Sequence, residues 1–477
     1  MRYSETPGGG AGAPRAVVLM LIGVAMAACR SYEPRPLDLR AARDAWLARG
    51  AADEAALRLA QRLGEAEGDD TPFDPSDGLT LREAEPVALV FNRELRVTRL
   101  ELGVARAGAD RAGGWSDPVL GVDFERILTG VPNPWVVGGT LGLTLPISGR
   151  TGAERDRADA ELAAEVCRVA AREWATRGLL RRRWVEWSAQ SARAGLAEAL
   201  IDQLRAIADL AGRQEDAGVL SRVDARVFRV ELAIAELDAG VARAGARELR
   251  LGLLDVLGLA PTADVVLIES VAFDARPASP EASLEQMGAR HPEIRAARAE
   301  YEVAERSLRL EVRKQYPDLS VAPGLASDEG NERVLLGLSL PFPLWNANRR
   351  GVAEASATRD VARGRFESLY EHLGSRLAVA MTRLESERRV REAVETSVLP
   401  LADEQWAEAR RAAELGRVDP LLQLQAIRSF HEARIRLVDA LAAEALGAIE
   451  IEELRGPPPG PRNGPALSAG VTNGDKP

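Results

Sequence analysis

An internal duplication constrains this chain of 477 residues more than any other feature of its sequence. The hexapeptide LGLTLP at Leu141–Pro146 recurs as LGLSLP at Leu336–Pro341, and Val223-Asp224 recurs as Val418-Asp419, both at an offset of 195 residues. Self-similarity at a fixed offset indicates two copies of one structural unit. The equal spacing between the motifs suits two helical arms that pack side by side and end flush.

Each copy is predicted to hold two short strands: Pro118–Ile127 and Trp135–Ile147 in the first, Pro317–Ala326 and Arg333–Phe342 in the second. Each run has roughly 10 residues, the length that a tilted membrane-spanning strand needs. Apolar residues alternate along the runs, as in half-buried strands. Tryptophans stand near the strand ends, where an aromatic belt would lie, at Trp115, Trp135 and Trp345. An ordinary soluble hairpin remains an alternative that the strands alone do not exclude.

Long helices are predicted on both sides of the strands. Those before the strands are Leu79–Gly113 and Ser283–Lys314, and those after them are Gly152–Gly212, Leu220–Leu257, Asn348–Leu415 and Pro420–Leu454. At 1.5 Å per residue a helix of 60 residues is about 90 Å long, and no globular domain of this size needs such rods. Because their apolar stripes are narrow and charges cover the other faces, these helices should pack on partners from other chains. Pro400 should kink the second rod.

Composition excludes several functional classes. A net charge of −10 argues against a general binder of nucleic acid, which would need a basic face. With two cysteines and three isolated histidines, neither a disulfide framework nor a cysteine-based zinc site is expected, and no cofactor is predicted. The sequence contains no G-x-S-x-G, H-E-x-x-H or P-loop motif, so neither an enzyme nor catalytic residues are expected.

The N-terminus carries the features of an export signal. The apolar run Ala16–Ala28 is shorter than the roughly 20 residues that a spanning helix needs, and it suits a signal peptide. Met26-Ala27-Ala28 before Cys29 resembles a lipobox, which predicts Cys29 as a lipid anchor; ordinary cleavage at Ala25-Met26-Ala27 is the alternative. Arg30, rather than an aspartate, favours delivery to the outer membrane. The sequence after this segment has no run of 18 apolar residues, so no transmembrane helix is predicted. If the mature protein is embedded in a membrane, it must therefore cross it as β-strands.

The predicted organisation therefore has six parts. They are a signal peptide (1–28), a lead-in segment (29–78), a first repeat (79–265), a linker (266–282), a second repeat (283–456) and a disordered tail (457–477).

In the order and spacing of these features the chain resembles the TolC-like outer-membrane efflux protein family. The resemblance rests on Tyr32-Glu33-Pro34 behind Cys29, on the helix openings LTLREAE (79–85) and RHPEIRAARAEYEVAE (290–305), and on the tandem repeat. It also rests on the two predicted connections from strand through turn to helix, LGLTLPISGRTGAERDRADAE and LGLSLPFPLWNANRRGVAEASA. A further match is the predicted turn between the last two long helices, AELGRVDPLLQLQAIRSFHEARIRLVDA. The first of the two connections is most similar to the CzcC-type heavy-metal efflux branch.

The resemblance implies a mainly α fold with a membrane β-barrel: a homotrimer with a 12-stranded β-barrel continued by a 12-helix periplasmic α-barrel. It implies a passive exit duct in the outer membrane, anchored by lipid and extending into the periplasm. The duct would receive heavy-metal cations or drugs from an inner-membrane pump of RND or similar type through a periplasmic adaptor. Alternatives from other classes are a periplasmic coiled-coil adaptor or scaffold lipoprotein and a hydrolase on a helical scaffold.

The same resemblance implies that the turns between the long helices contact the adaptor. These tips are Gly218, Val219, Leu220 and Ser221 in the first repeat and Leu415, Gly416, Arg417 and Val418 in the second. Acidic residues near the tips are candidates for a cation-selecting gate, although a charge on a helix face is usually only solvated: Asp209, Glu215, Asp216, Glu404, Glu408 and Glu414.

Overall fold

The structure is a computed structural model that describes residues 32–67, 73–128, 130, 134–273, 279–328, 331–414 and 420–458. The predicted signal peptide, Cys29 and the second tip (415–419) lie outside the described residues, as does the tail from residue 459. The chain divides into two units, Met1–Ala48 and Arg49–Pro477. In the first unit, helix α1 (Leu39–Leu47) begins at Asp38, whose carboxylate accepts hydrogen bonds from the backbone N–H groups of Arg40 and Ala41.

The second unit repeats a pattern of two shorter helices, two strands and a long helical hairpin. Its first copy comprises α3 (Leu81–Phe91), α4 (Arg93–Ala109), β1 (Val119–Arg126), β2 (Trp135–Leu145), α5 (Arg150–Asp216) and α6 (Arg222–Leu257), preceded by α2 (Glu54–Glu67). Its second copy comprises α7 (Pro280–Arg290), α8 (Pro292–Arg313), β3 (Leu319–Asp328), β4 (Asn331–Ser339), α9 (Arg349–Ala393), α10 (Leu399–Glu414) and α11 (Pro420–Arg455).

All four predicted strands are present, and they form one antiparallel sheet in the order β1-β2-β3-β4. The two copies meet at the pairing of β2 with β3, where Leu145 lies opposite Leu319 and Val137 opposite Ser327. β1 and β4 are therefore the two edges of the sheet within this chain.

The helices form a layer with two unlike edges. Toward the hairpin turns, α5 packs between α6 and α11, and α11 packs against α9 and α10. Toward the sheet, α5 packs between α4 and α8, and α8 packs against α9. One edge of the layer is consequently formed by α4 and α6, and the other by α9 and α10.

The helices predicted before the strands are not continuous, and each is broken by one capping residue. Asn92 separates α3 from α4 with φ −54° and ψ 127°, and its side-chain oxygen accepts from the N–H groups of Glu94 and Leu95. His291 separates α7 from α8 with φ −59° and ψ 123°. Because a residue before proline is pushed out of the helical region, Pro292 accounts for the second break.

The second helix of each long hairpin, here called the return helix, is α6 in the first copy and α11 in the second. Each return helix is followed by a glycine in the left-handed conformation. Gly258 follows α6 with φ +71°, and a Cβ there would lie 2.1 Å from the carbonyl oxygen of Phe91, the last residue of α3. Gly456 follows α11 with φ +82°, and a Cβ there would lie 2.9 Å from the backbone of Arg290 and His291. In both copies the return helix thus ends directly against the break between the two shorter helices.

The interruption expected near Pro400 takes the form of a π-helical segment, Val394–Val398, between α9 and α10. The N–H of Leu399 bonds to the carbonyl of Val394, five residues back, which widens the turn just before the proline. This arrangement suits a residue that has no N–H and whose ring crowds the preceding turn.

The number of residues that separates corresponding positions of the two copies is not constant along the chain. The helices α5 and α9 begin farther apart in the sequence than the two hexapeptides do, because the connection from β4 to α9 is longer than that from β2 to α5.

Apolar cores lie where the helices of each copy converge. One core joins α3, α5 and α6 around Leu180, Trp184 and Leu254, and a second joins α7, α9 and α11 around Met287, Leu377 and Ile451. Within the described residues, no helix combines the length and the apolar character needed to cross a membrane.

Candidate functional site

The sheet has one face of large apolar side chains. Strand register places Leu120, Val122 and Phe124 of β1 on the same face as Val137 and Leu141 of β2, because Leu120 pairs with Leu141 and Phe124 with Val137. The face continues through Leu143, Val321, Leu325, Val334, Leu336 and Leu338. Many of these side chains are exposed, from 36% for Leu143 to 83% for Val334. An apolar surface of this extent marks a binding or membrane surface.

The opposite face carries mainly small or polar residues, with Val119, Val136 and Leu335 as its larger apolar side chains. Its members include Gly121, Asp123, Gly138, Thr140, Thr144, Ser320, Ala322, Gly324, Gly337 and Ser339. Directly opposed positions in an antiparallel pair normally leave room for two Cβ atoms. A Cβ at Gly121, however, would lie 2.5 Å from Oγ1 of Thr140, and one at Gly324 would lie 2.7 Å from the carbonyl oxygen of Gly139. This crowding points to a concave face lined by small side chains.

Exposed tryptophans stand at both ends of the sheet. Trp115 precedes β1 and Trp345 follows β4 at the end nearer the helices, and their exposures are 68% and 89%. Trp135 begins β2 at the other end, is 59% exposed and lies under the guanidinium of Arg126 at 5.5 Å. Indole rings at the two borders of an apolar band are typical of membrane–water interfaces.

The first predicted tip is a tight turn between α5 and α6. Gly218 adopts φ +70°, and the N–H groups of Val219 and Leu220 bond to the carbonyl of Gln214. The Ser221 hydroxyl accepts from the N–H of Asp224 and donates to its carboxylate at 2.6 Å, so Ser221 caps α6. Val219 is 75% exposed, which leaves an apolar side chain at the end of the hairpin.

Of the acidic gate candidates, Glu215 is engaged in the structure of the tip itself. Its carboxylate bonds to Arg229 at 2.6 Å and lies 3.4 Å from Arg222. Leu415, Gly416, Arg417 and Val418 of the second tip lie outside the described residues, as does the side chain of Glu414.

Comparison with known proteins shows which families and structures the chain is similar to. The model of the outer membrane efflux protein family matches residues 284–456. This match covers the second copy of the repeat, from α7 to the end of α11. The cobalt-zinc-cadmium resistance protein CzcC of Cupriavidus metallidurans is 30% identical over 253 residues, which are 52% of this chain and 60% of CzcC. The match therefore spans less than two thirds of this relative.

Several solved structures share the fold of this chain. The outer-membrane channel OprN superposes with a TM-score of 0.67 at 18% identity, covering 90% of this chain and 98% of OprN. VceC, an outer membrane protein of Vibrio cholerae, gives 0.66 at 18% identity over 79% of this chain and 96% of VceC. CusC, described as forming a transmembrane channel, gives 0.65 at 16% identity over 79% of this chain and 92% of CusC.

The chain also holds a buried group of charges that its sequence pattern did not reveal. Glu85 of α3 accepts a hydrogen bond from Arg181 of α5 at 2.6 Å and forms an ion pair with Arg177 at 2.8 Å. Arg181 also lies against the rings of Trp174 and Phe273, at 5.8 and 5.6 Å. Burial lowers the pKa of Arg181, but Glu85 and Glu452 outweigh this effect and raise it. The arginine therefore stays charged and ties α3, α5 and α11 together.

A cavity of about 450 Å³ lies beside this group. It is lined by Arg182 and Glu453, which pair with each other, and by His291 and Arg376. Burial raises the pKa of Glu453, although Arg182 opposes the change. A Cβ at Gly178 would overlap the Glu453 carboxylate, so a larger residue there would require the Glu453 side chain to move. No group of three potential ligand side chains suited to a metal ion occurs among the described residues.

Proposed function

We propose that this protein is the outer-membrane exit duct of a tripartite efflux system and conducts its substrate passively. The observation that carries the proposal is the division of the sheet into an exposed apolar face and a crowded face of small and polar residues. Such a sheet buries no core of its own, but it suits a wall between lipid and water. The helices then extend the same wall into the periplasm.

The duct is a homotrimer. The described residues of one chain supply four strands, and the outer edges of β1 and β4 have no partner strand among those residues. Closing the sheet across three copies gives a 12-stranded barrel and removes these edges. The four helical columns per chain give a 12-helix tunnel in the same way. The comparisons support this assembly through the family and the shared fold.

The hairpin tips are the contact sites for the periplasmic adaptor, which links the duct to an inner-membrane pump of RND or similar type. Support comes from the turn at Gly218–Ser221, which closes a hairpin of 67 and 36 residues and presents the apolar side chain of Val219. Leu415–Val418 are proposed for the same role at the second tip.

Heavy-metal cations are the proposed cargo, with drugs as the alternative. The support is the relative named for cobalt, zinc and cadmium resistance, which is 30% identical over half of this chain. Lipidation of Cys29, after removal of the signal peptide, would anchor the chain to the outer membrane. The periplasmic adaptor or scaffold interpretation is not favoured by these comparisons.

The test separates outer from inner membranes and then determines the mass of the detergent-extracted protein by light scattering with correction for bound detergent. We expect an outer-membrane species near three times the chain mass of 51.3 kDa. A monomer, or protein released without detergent, would contradict the proposal.

The cargo and the adaptor are tested by growth of the native host on cobalt, zinc and cadmium salts. Loss of the gene should sensitise the cells, and V219D should do the same without changing the trimer mass, because it places a charge at the tip. The control L39D changes a residue of α1 that is 84% exposed, and it should grow normally. Unchanged metal resistance without the gene would exclude these cations as cargo.

A further inference from the structure

The connection from β4 to α9 exposes a group of large apolar side chains. It covers residues 340–348, whereas the corresponding connection from β2 to α5 covers only residues 146–149. In the shorter connection Ile147 is exposed, and Ser148 is buried with its N–H bonded to the carboxylate of Asp318 at 3.2 Å. In the longer one the exposed apolar residues are Leu340, Phe342, Leu344 and Trp345, with exposures from 40% to 89%. The second copy thus adds apolar surface at the end of the sheet nearer the helices.

This added surface continues the apolar face of the sheet. Along β4 that face is formed by alternate residues from Val334 to Leu338, and the alternation of apolar residues persists beyond the strand to Leu344. Pro341 and Pro343 stand between the apolar residues. Because proline has no N–H and a fixed φ, this extended segment needs no partner strand and loses little entropy when its side chains are held in place.

Two unpaired arginines lie at the same border. Asn348, the last residue of the connection, donates to the backbone carbonyl and to the carboxylate of Glu311 in α8, at 2.9 and 2.7 Å. This contact joins the start of α9, at Arg349, to the end of α8, at Arg313. Both arginines are exposed, and neither forms an ion pair or a side-chain hydrogen bond within the described part of the chain.

The acidic residues that are near these arginines in the sequence are already paired. They are Glu311 with Lys314 at 2.6 Å, Glu354 with Arg350 at 2.8 Å and Asp318 with Arg150 at 3.6 Å. Asp110 and Asp117 are exposed without an ion pair, but they belong to the opposite edge, with α4 and β1. The first turn of α9 also lacks a carboxylate. The β4 edge of this border is therefore locally positive, although the chain carries a net charge of −10.

This combination suits a lipid better than a protein partner. An indole ring that is 89% exposed, as in Trp345, is typical of the zone between hydrocarbon and water. Guanidinium groups just beyond such a zone attract the phosphates of anionic lipids. The apolar residues are also continuous with a face that the proposed duct already turns toward lipid.

We infer that the connection between β4 and α9, together with the end of α8, binds the headgroup of an anionic phospholipid in the periplasmic leaflet of the outer membrane. Arg313 and Arg349 donate to its phosphate oxygens. Phe342, Leu344 and Trp345 lie among the glycerol groups and the upper acyl chains. This inference rests on the proposed function, because it requires the sheet to span the membrane, and it adds the class of lipid that the duct selects.

The first measurement uses brominated lipids, which quench tryptophan fluorescence at short range. The full-length protein is placed in phosphatidylcholine vesicles that contain the same molar fraction of either brominated phosphatidylglycerol or brominated phosphatidylcholine. The quenching that is lost in W345F belongs to Trp345. We expect brominated phosphatidylglycerol to quench Trp345 more strongly, and equal quenching by the two lipids would overturn the inference.

The second measurement tests the arginines. R313Q with R349Q removes both guanidinium groups, and the matched control, R298Q with R365Q, changes arginines of the same two helices about 22–24 Å farther from the sheet. The control arginines are also exposed and form no ion pair within the described residues. Native mass spectrometry of the detergent-extracted protein counts bound phosphatidylglycerol and phosphatidylcholine.

The preference for phosphatidylglycerol should fall by about five-fold for each of Arg313 and Arg349 that is removed. It should persist in the control, and light scattering should give both double variants the mass of the unsubstituted protein. Equal losses of preference in the two double variants would overturn the site, because they would reflect total charge alone.

The inference and the proposed duct fail differently. If W345F changes no quenching while other tryptophans are still quenched by lipid, the sheet is embedded but this connection is covered by something else, such as a neighbouring copy. That result would overturn the inference and leave the duct intact. If brominated lipids quench no tryptophan of the unsubstituted protein, the sheet lies outside the bilayer and the duct itself is contradicted.

Discussion

The two copies of the repeat reach the same architecture with different residues. Their return helices, α6 and α11, are both 36 residues long and end at the left-handed glycines Gly258 and Gly456. The break before the strands depends on Asn92 in one copy and on His291 with Pro292 in the other. Helix length and the position of helix breaks are thus retained where residue identity is not, as expected when long helices must end flush.

The outward helices differ most, because α5 is continuous and its counterpart contains a π-helical segment before Pro400. Ile201 occupies the position in α5 that corresponds to Pro400, so I201P should lower the free energy of unfolding by about 3 kcal/mol or more. P400A should change it much less, since the helix already accommodates this site. Thermal unfolding in detergent, followed by circular dichroism, measures both.

I201A separates the loss of the Ile201 side chain from the backbone effect and should cost less than I201P. Equal losses for the two variants would show that α5 tolerates a proline as its counterpart does.

Substitution of the two glycines that end the return helices should lower the free energy of unfolding by unequal amounts. In G258A the new Cβ meets the Phe91 carbonyl oxygen at 2.1 Å in a left-handed conformation, so we expect a loss of about 2–4 kcal/mol. G456A should cost less, because its nearest neighbours are 2.9 Å away. The control G240A has open space around it in a regular helix and should stabilise by about 0.5–1 kcal/mol. Equal losses at the two positions would argue against the closer docking of α6.

Asn92 has two roles, since it caps α4 and donates to the carbonyl of Val256. N92A should therefore cost about 1–2 kcal/mol, the range for a lost cap. The variant N92S retains an oxygen that can cap α4 but not the amide donor, so it should lie between N92A and the unsubstituted protein in melting temperature. No difference between N92A and the unsubstituted protein would show that the break does not depend on this side chain.

His291 makes the second break sensitive to pH, while the first is not. Burial lowers its pKa, Glu293 opposes this effect, and Arg376 adds to it. The folded state thus favours the neutral ring, whose Nδ1 accepts from the N–H of Glu293. Stability should be constant above about pH 6.5 and fall as the pH decreases below it, because the unfolded chain binds the proton more readily.

This loss of stability is measured as melting temperature against pH, and H291N should remove the step by installing the residue of the first copy. A step that persists in H291N belongs to another group.

The strands and the long helical hairpins could be predicted from the sequence, because both give periodic patterns among neighbouring residues. Alternating residues around Leu141–Leu145 and the long apolar stripes depend on near neighbours. Pro400 was recognised, but a π-helical segment was not, since the backbone response to a proline depends on the helices packed around it. The break at His291 could have been found from Pro292, whereas Asn92 offered only a weak capping signal.

The buried charges could not be predicted in the same way. Glu85 and Arg181 are 96 residues apart, and Glu453 is more distant still, so only the packing of α3, α5 and α11 brings them together. An alignment of the two copies on their hexapeptides also places α5 and α9 out of register, because the connection before α9 is longer than the one before α5. Local sequence motifs determine the individual helices and strands. The alignment of these elements with one another depends on contacts between distant parts of the chain.

The most direct test of the duct is the water accessibility of alternate positions in β4. Single cysteines at residues 333 to 338 of outer-membrane preparations are treated with a membrane-impermeant maleimide, in a background in which Cys167 is replaced by Ser. The account predicts that R333C, L335C and G337C are labelled and that V334C, L336C and L338C are protected by lipid. Uniform labelling along the strand would contradict a wall between lipid and water.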